Sequence, residues 1–129
     1  MSAALRVLLV GHCVPDAYAL KSAVRRALGE PEIFAVDSDA ELARRLAGAN
    51  LLLVNRVLDG NFPDDTGIEL VGRLAASGVP AMLISNFPEA QSAAVAAGAR
   101  PGFGKKDMNS ERAAALLREA VKPARDDKP

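Results

Sequence analysis

Val7-Leu-Leu-Val-Gly-His12 and Leu51-Leu-Leu-Val-Asn55 decide the fold of this chain. Each begins as an unbroken aliphatic run, a pattern typical of a parallel strand that is buried on both faces. Each run then ends at polar or flexible residues, Gly11 and His12 in the first case and Asn55 in the second. Functional residues of parallel α/β sheets gather where strands end, so these positions are the first candidates for a site.

Apolar runs alternate with amphipathic segments five times along the chain. The predicted strands are Leu5 to Val10, Glu32 to Val36, Leu51 to Val54, Ala81 to Ile84 and Gly102 to Lys105. The predicted helices are Asp16 to Leu28, one capped by Asp37 or Ser38, one opened by Thr66 and Glu69, Pro88 to Ala97, and about Asn109 to Val121. Five such units and the right-handed crossover rule predict an α/β fold, a doubly wound parallel sheet in the order 2-1-3-4-5.

Composition narrows the class of protein. The 129 residues suffice for one domain, predicted over residues 1–121, while the charged, proline-containing segment 122–129 is predicted to be disordered. Sixteen basic residues balance 16 acidic ones, so we expect neither nucleic-acid nor membrane binding. The single cysteine, the lack of a signal-peptide pattern and the lack of a long apolar run predict a cytoplasmic protein.

The arrangement resembles the receiver domains of bacterial response regulators, which have a flavodoxin-like (βα)5 fold, over residues 5 to 121. The match is best in Gly98-Ala99, Gly102-Phe103 and Lys106-Asp107-Met108, with Pro101 as one extra residue. In that register the resemblance implies that Lys106 is the phosphate-binding lysine and Phe103 the switch aromatic. Ser85 matches the switch hydroxyl. Counting without the extra residue moves the lysine to Lys105.

The sequence departs from the family pattern at the positions that bind the metal ion. Receivers hold Mg²⁺ with an acidic pair after the first strand and the acceptor aspartate after the third. Gly11 and His12 replace that pair here. Magnesium demands hard oxygen ligands, which neither glycine nor imidazole supplies, so we expect a weak or absent Mg²⁺ site, no other metal site and no cofactor.

Two registers are possible for the phosphate acceptor. The length of the apolar run favours Asn55, because a strand continuing to Asp59 would carry Asn55 and Arg56 through the centre of the sheet. Spacing favours Asp59, because Asp59, Pro63 and Gly67 reproduce the family's Asp-x-x-x-Pro-x-x-x-Gly run.

The strand ends gather Cys13 and Arg56 into the same crevice as His12. Cys13 is expected to be a half-buried thiol rather than a redox sensor, because no second cysteine exists. Arg56 is expected to pair with a loop aspartate such as Asp59.

Together these features favour a receiver-like signalling domain, a pseudo-receiver in a two-component or phosphorelay system, that binds a protein partner without phosphorylation and is not an enzyme. The partner would be a histidine kinase, an output protein or a regulatory protein. Receivers signal through helix 4, strand 5 and helix 5, so we expect partner binding or homodimerisation there, around Phe103. The alternatives are a response regulator phosphorylated on Asp59, and a small-molecule or anion sensor that uses the crevice between strands 1 and 3.

Overall fold

The computed structural model describes residues 4–121 and has five strands, all paired in parallel, in one sheet. The strands are Arg6–Val10 (β1), Glu32–Val36 (β2), Leu51–Asn55 (β3), Ala81–Ile84 (β4) and Arg100–Phe103 (β5). The helices are Val14–Leu28 (α1), Asp39–Leu46 (α2), Gly67–Leu74 (α3), Pro88–Ala97 (α4) and Glu111–Ala120 (α5). The sheet order is β2-β1-β3-β4-β5, which confirms the predicted fold class. The segment 122–129, predicted to be disordered, lies outside the described residues.

The central strands separate two hydrophobic cores. Val7 and Leu9 of β1 face the core beneath α1 and α5, while Leu8 and Val10 face the core beneath α2, α3 and α4. Alternate side chains of a strand point to opposite faces, so a strand buried on both sides must be apolar throughout. None of the helices within residues 4–121 is long and apolar enough to cross a membrane.

Side-chain caps fix where three helices begin. The Ser38 hydroxyl accepts from the Glu41 N–H (3.1 Å), Thr66 caps α3 through the Glu69 N–H (3.2 Å), and Ser110 does the same for α5. The first helix starts at Val14, two residues earlier than predicted, because a proline fits the first helical turn.

The fifth strand lies two residues earlier than predicted. Met82 is opposite Arg100 and Ile84 is opposite Phe103, so β5 has one residue more than β4 between these pairs. This β-bulge contains Pro101, which is where the extra residue was placed from the sequence.

Gln91 of α4 bonds to the backbone at the bulge. Its amide nitrogen donates to the carbonyls of Leu83 (2.9 Å) and Ser85 (3.1 Å), and its amide oxygen accepts from the Gly102 N–H (3.1 Å). One side chain therefore satisfies backbone groups on both β4 and β5.

Candidate functional site

The candidate site lies at the carboxyl edge of the sheet, where the expected residues converge. Gly11, His12 and Cys13 follow β1, Asn55 ends β3 and Arg56 follows it, Ser85 follows β4, and Lys105 lies two residues after β5. The order of the strands reverses between β1 and β3, which is the switch point of such sheets.

The segment between β3 and α3, residues 56–66, crosses over the end of β1. The Asp59 N–H donates to the Gly11 carbonyl (2.8 Å). Farther along, the Asn61 N–H donates to the Asp37 carbonyl (2.8 Å), and the Asn61 carbonyl accepts from the Asp39 N–H (2.9 Å). The β3–α3 loop is thus bonded to the residues that follow β1 and β2.

An ion-pair cluster supports the same loop. The Arg73 guanidinium of α3 forms two ion pairs. Its Nη2 lies 2.7 Å from Asp64 Oδ2 and 2.7 Å from Asp39 Oδ1 of α2. The pKa of Arg73 is raised above its ordinary value, chiefly by the hydrogen bonds that its guanidinium donates to Asp64. The loop is therefore held at both of its ends.

Gly11 leaves room for the loop because it has no side chain. Its φ is +75°, and a Cβ added there would lie 2.7 Å from Leu58 Cδ2 and 3.2 Å from Leu58 Cα. The half-buried Leu58 packs against the core beneath α2, α3 and α4. An acidic side chain at position 11 would have to enter space that Leu58 fills.

His12 is buried and uncharged. Its side chain points into the protein, with Nε2 2.9 Å from the Leu53 carbonyl oxygen and Nδ1 buried without a hydrogen-bond partner. The first contact requires the proton on Nε2. Burial lowers the pKa of His12 to about 4, and the nearby Lys105 ammonium adds to this effect.

Asn55 occupies the end of β3. Its amide nitrogen donates to the carbonyl oxygens of Gly11 (3.0 Å) and Val57 (2.7 Å), which ties β3 to the end of β1 and to the start of the loop. Asp59, the alternative acceptor position, lies four residues farther on with an exposed side chain. The strand ends at Asn55, one residue beyond the predicted strand of Leu51 to Val54.

These residues do not fit Mg²⁺. Gly11 offers only a backbone carbonyl, which already accepts from Asp59 and Asn55, and His12 is bonded to Leu53. Within the described part of the chain, no three His, Cys, Asp or Glu side chains come close enough to share a metal ion. Magnesium needs several oxygen ligands in octahedral geometry, and the end of β1 supplies no carboxylate.

The two candidate lysines point to different places. Lys105 lines the groove at the ends of β3 and β4, and its Nζ lies 2.5 Å from Asp16 Oδ2 on α1. Lys106, the first choice from the sequence, instead lines a second groove beside Asp107. Asn86 accepts from the Lys106 backbone N–H at 3.2 Å. The structure therefore brings the alternative, Lys105, to the site.

Asp16 was not foreseen as a residue of the site. The hydrogen bond from Lys105 lowers the pKa of its carboxyl group, and a smaller contribution comes from the Cys13 thiol. The sequence marked Asp16 only as the start of a helix. Its pairing with Lys105 depends on the packing of α1 beside the end of β5, 89 residues away along the chain.

The expectation that Arg56 pairs with Asp59 is wrong. The guanidinium carbon of Arg56 lies 5.0 Å from the centroid of the Phe87 ring. Across residues 4–121, no carboxylate lies within ion-pair distance of Arg56. The loop carries Asp59 toward β1 by its bond to Gly11, on the side away from β4, and this separates the two side chains.

Ser85 and Phe103 are joined through the backbone. The Ser85 N–H donates to the Phe103 carbonyl (3.0 Å), and the Ser85 hydroxyl accepts from the Phe87 N–H (3.2 Å). Phe103 is 2% exposed and packs in the core beneath α1 and α5. Phe103 therefore offers almost no surface of its own to a partner, although partner binding was expected around it.

Several solved structures share this fold. The receiver domain of the stress response regulator RcsB from Escherichia coli superposes with a TM-score of 0.71 and 14% identity, covering 98% of this chain and 99% of that one. The receiver domain of a DNA-binding response regulator from Colwellia psychrerythraea gives a TM-score of 0.70 and 15% identity, with 89% and 96% coverage. For the chemotaxis protein CheY4 from Vibrio cholerae the TM-score is 0.68 and the identity 20%, with 92% and 100% coverage.

At these identities the likeness concerns the fold: the chain has the fold of response-regulator receiver domains over nearly its whole length. No protein-family model matches the sequence, and no curated protein sequence does so either.

Proposed function

We propose that this protein is a receiver-like signalling domain that works by binding a protein partner, within a two-component or phosphorelay system, without being phosphorylated and without being an enzyme. The observation that carries the proposal is the pair of bonds from the Asn55 amide to the carbonyls of Gly11 and Val57. An amide at this position is not a nucleophile for phosphoryl transfer, and Leu58 lies where an acidic residue at position 11 would stand.

The arrangement offers little support for other catalysis. Ser85 is the hydroxyl nearest the strand ends, and its oxygen accepts from the Phe87 N–H. His12 is bonded to the Leu53 carbonyl, and among residues 4–121 no base is bonded to the Ser85 hydroxyl. A serine hydroxyl is a weak nucleophile unless an adjacent base or a metal activates it.

A groove between α4, β5 and the start of α5 fits the role of partner surface. It has a volume of about 830 Å³. Its lining residues are Ser85, Asn86, Pro88, Gln91, Ser92, Val95, Pro101, Gly102, Phe103, Gly104, Lys106, Asp107 and Arg112. Ser92 and Val95 are exposed on α4. We name this surface the α4–β5 groove. A histidine kinase, an output protein, a regulatory protein or a second copy of the chain would bind there.

Substitutions that introduce a charge test this proposal. Immobilised protein is probed with the histidine kinases and output proteins of its source organism, and its own association is followed by sedimentation. Val95→Asp in the α4–β5 groove should abolish binding. The matched control is Val14→Asp on α1, which makes the same substitution at an even more exposed valine away from that groove. If Val14→Asp abolishes binding and Val95→Asp does not, the partner surface is wrongly placed.

A further inference from the structure

Two large apolar side chains are exposed around one small space at the carboxyl edge of the sheet. Val57, which follows β3, is 61% exposed, and Phe87, which follows β4, is 52% exposed. Both line the space at the ends of these two strands. Single exposed apolar residues are common on proteins, but neighbouring ones indicate a surface that another molecule covers.

The apolar surface continues from Phe87 into a groove between α3 and α4. This groove has a volume of about 390 Å³, and the half-buried Ile68 of α3 and the exposed Ala93 of α4 line it beside Phe87. Arg56 and Glu89 line it as well. We define the Phe87 patch as Arg56, Val57, Ile68, Phe87, Glu89 and Ala93. The patch shares no residue with the α4–β5 groove, whose α4 residues lie on another face of that helix.

The Phe87 patch carries one positive and one negative charge. Arg56 is half-buried, with its guanidinium carbon 5.0 Å from the centroid of the Phe87 ring. Glu89 is exposed in the first turn of α4. Among residues 4–121, neither side chain has an oppositely charged group within ion-pair distance, and they do not pair with each other. Both charges are therefore available to a partner.

A patch with these features is complementary to itself. In a dimer with two-fold symmetry the same surface of each subunit meets, so every contact between two different residues occurs twice. An axis near Phe87 would bring the apolar side chains of both subunits together. It would also place Arg56 beside Glu89 of the partner subunit, and Glu89 beside the partner subunit's Arg56. A second copy of the chain thus supplies both of the charges that the patch requires.

We infer that two copies of this chain associate through the Phe87 patch, with Phe87 at the centre and two Arg56–Glu89 ion pairs between the subunits. Burial of the aromatic ring supplies affinity, and the ion pairs fix the orientation of the subunits. The inference goes beyond the proposed function, because it gives the second copy a face outside the α4–β5 groove and leaves that groove open to another protein.

Reversal of the two charges tests this dimer. Arg56→Glu creates two like-charged contacts at the interface, and so does Glu89→Arg, so each variant alone should self-associate at least about tenfold more weakly than the wild type. An equimolar mixture of the two variants should form a heterodimer about as tightly as the wild type dimerises, because every contact then joins opposite charges. Sedimentation equilibrium of the full chain at low salt measures all four samples, since salt screens exposed charges.

The apolar centre is tested with a polar substitution. Phe87 is the N-cap residue of α4, a position that serine favours, so Phe87→Ser should leave the helix intact. We expect this variant to self-associate at least about tenfold more weakly than the wild type. Tyr18→Ser on α1 is the matched control, because Tyr18 is an exposed aromatic residue outside the patch, and it should leave self-association unchanged. Circular dichroism confirms that each variant is folded.

Three results would overturn the inference. The first is a wild type that stays monomeric up to about 1 mM, where even weak association is measurable. The second is a mixture of Arg56→Glu and Glu89→Arg that associates no better than its two components. The third is loss of self-association in Val95→Asp but not in Phe87→Ser, which would place the second copy in the α4–β5 groove and support the proposed function.

Discussion

The Leu58 side chain lies against Gly11, with its Cδ2 2.7 Å from where a Cβ on that glycine would be. The Leu58 side chain covers the end of β1 and leaves no room for a side chain at position 11. This contact relates the glycine at position 11 to the path of the β3–α3 loop, because an acidic side chain at that position would need the space that Leu58 fills.

Gly11→Ala should destabilise the protein by about 2 to 4 kcal/mol. A positive φ costs a side chain roughly 1 to 2 kcal/mol, and the contact with Leu58 adds to this. Gly29→Ala is the matched control, because Gly29 also has a positive φ, +89°, but nothing lies within 4 Å of its added Cβ. Urea unfolding measures both. Equal losses in the two variants would mean that Leu58 does not restrict position 11.

Magnesium should leave the stability of the protein unchanged. A native-state site with a Kd of about 0.1 mM would add roughly 1.4 kcal/mol at about 1 mM Mg²⁺. Because the end of β1 offers no carboxylate, we expect the melting temperature in Mg²⁺ to equal that in sodium chloride of the same ionic strength. A shift of several degrees specific to Mg²⁺ would contradict this.

His12 should make stability depend on pH. Its pKa is lowered from 6.5 to about 4 in the folded protein, so between these values the unfolded chain binds the extra proton. Stability attributable to His12 is therefore complete above about pH 6.5 and falls by about 3 kcal/mol as the pH drops toward 4. The difference in unfolding free energy between the wild type and His12→Gln, measured across this range, should narrow on acidification. A difference that stays constant would show that the imidazole is not desolvated.

Gln91→Ala should cost about 1 to 3 kcal/mol. It leaves the Leu83 and Ser85 carbonyls and the Gly102 N–H at the bulge without their partner. Ser92→Ala, on the exposed face of the same helix, should be close to neutral and serves as the control. Denaturant unfolding measures the stability of both variants. Equal stability would show that the Gln91 side chain does not support the bulge.

The fold could be predicted because its signals are local. The strand at Leu51 is apolar at every buried position, and Thr66 and Ser38 cap helices as their neighbours predict. The fifth strand was predicted to begin at Gly102, two residues too late, because proline is unfavourable inside a strand. In the structure Pro101 lies in a bulge, which the Gln91 side chain of α4 supports through the Gly102 N–H.

The site could be predicted only in part. The residues of the site lie at strand ends, so the topology predicted that they would lie close together. The topology did not predict the path of the β3–α3 loop. That path depends on backbone hydrogen bonds that Asp59 donates to Gly11, 48 positions away, and Asn61 donates to Asp37, 24 positions away. Such long-range backbone bonds leave no pattern in the sequence. The expected pairing of Arg56 with Asp59 was wrong for this reason, because the loop carries Asp59 toward β1. The pairing of Lys105 with Asp16 depends instead on the packing of α1, 89 residues away along the chain.

The most direct test of the account is incubation with acetyl phosphate and Mg²⁺, followed by intact-mass measurement of the wild type, Asn55→Asp and Asp59→Ala. We expect no phosphoryl group on any of the three, because the wild type has an amide at position 55, the exposed Asp59 lies four residues beyond the end of β3, and Gly11 and His12 supply no carboxylate for the metal that phosphoryl transfer needs. A label on the wild type that disappears in Asp59→Ala would identify Asp59 as the acceptor and contradict the account.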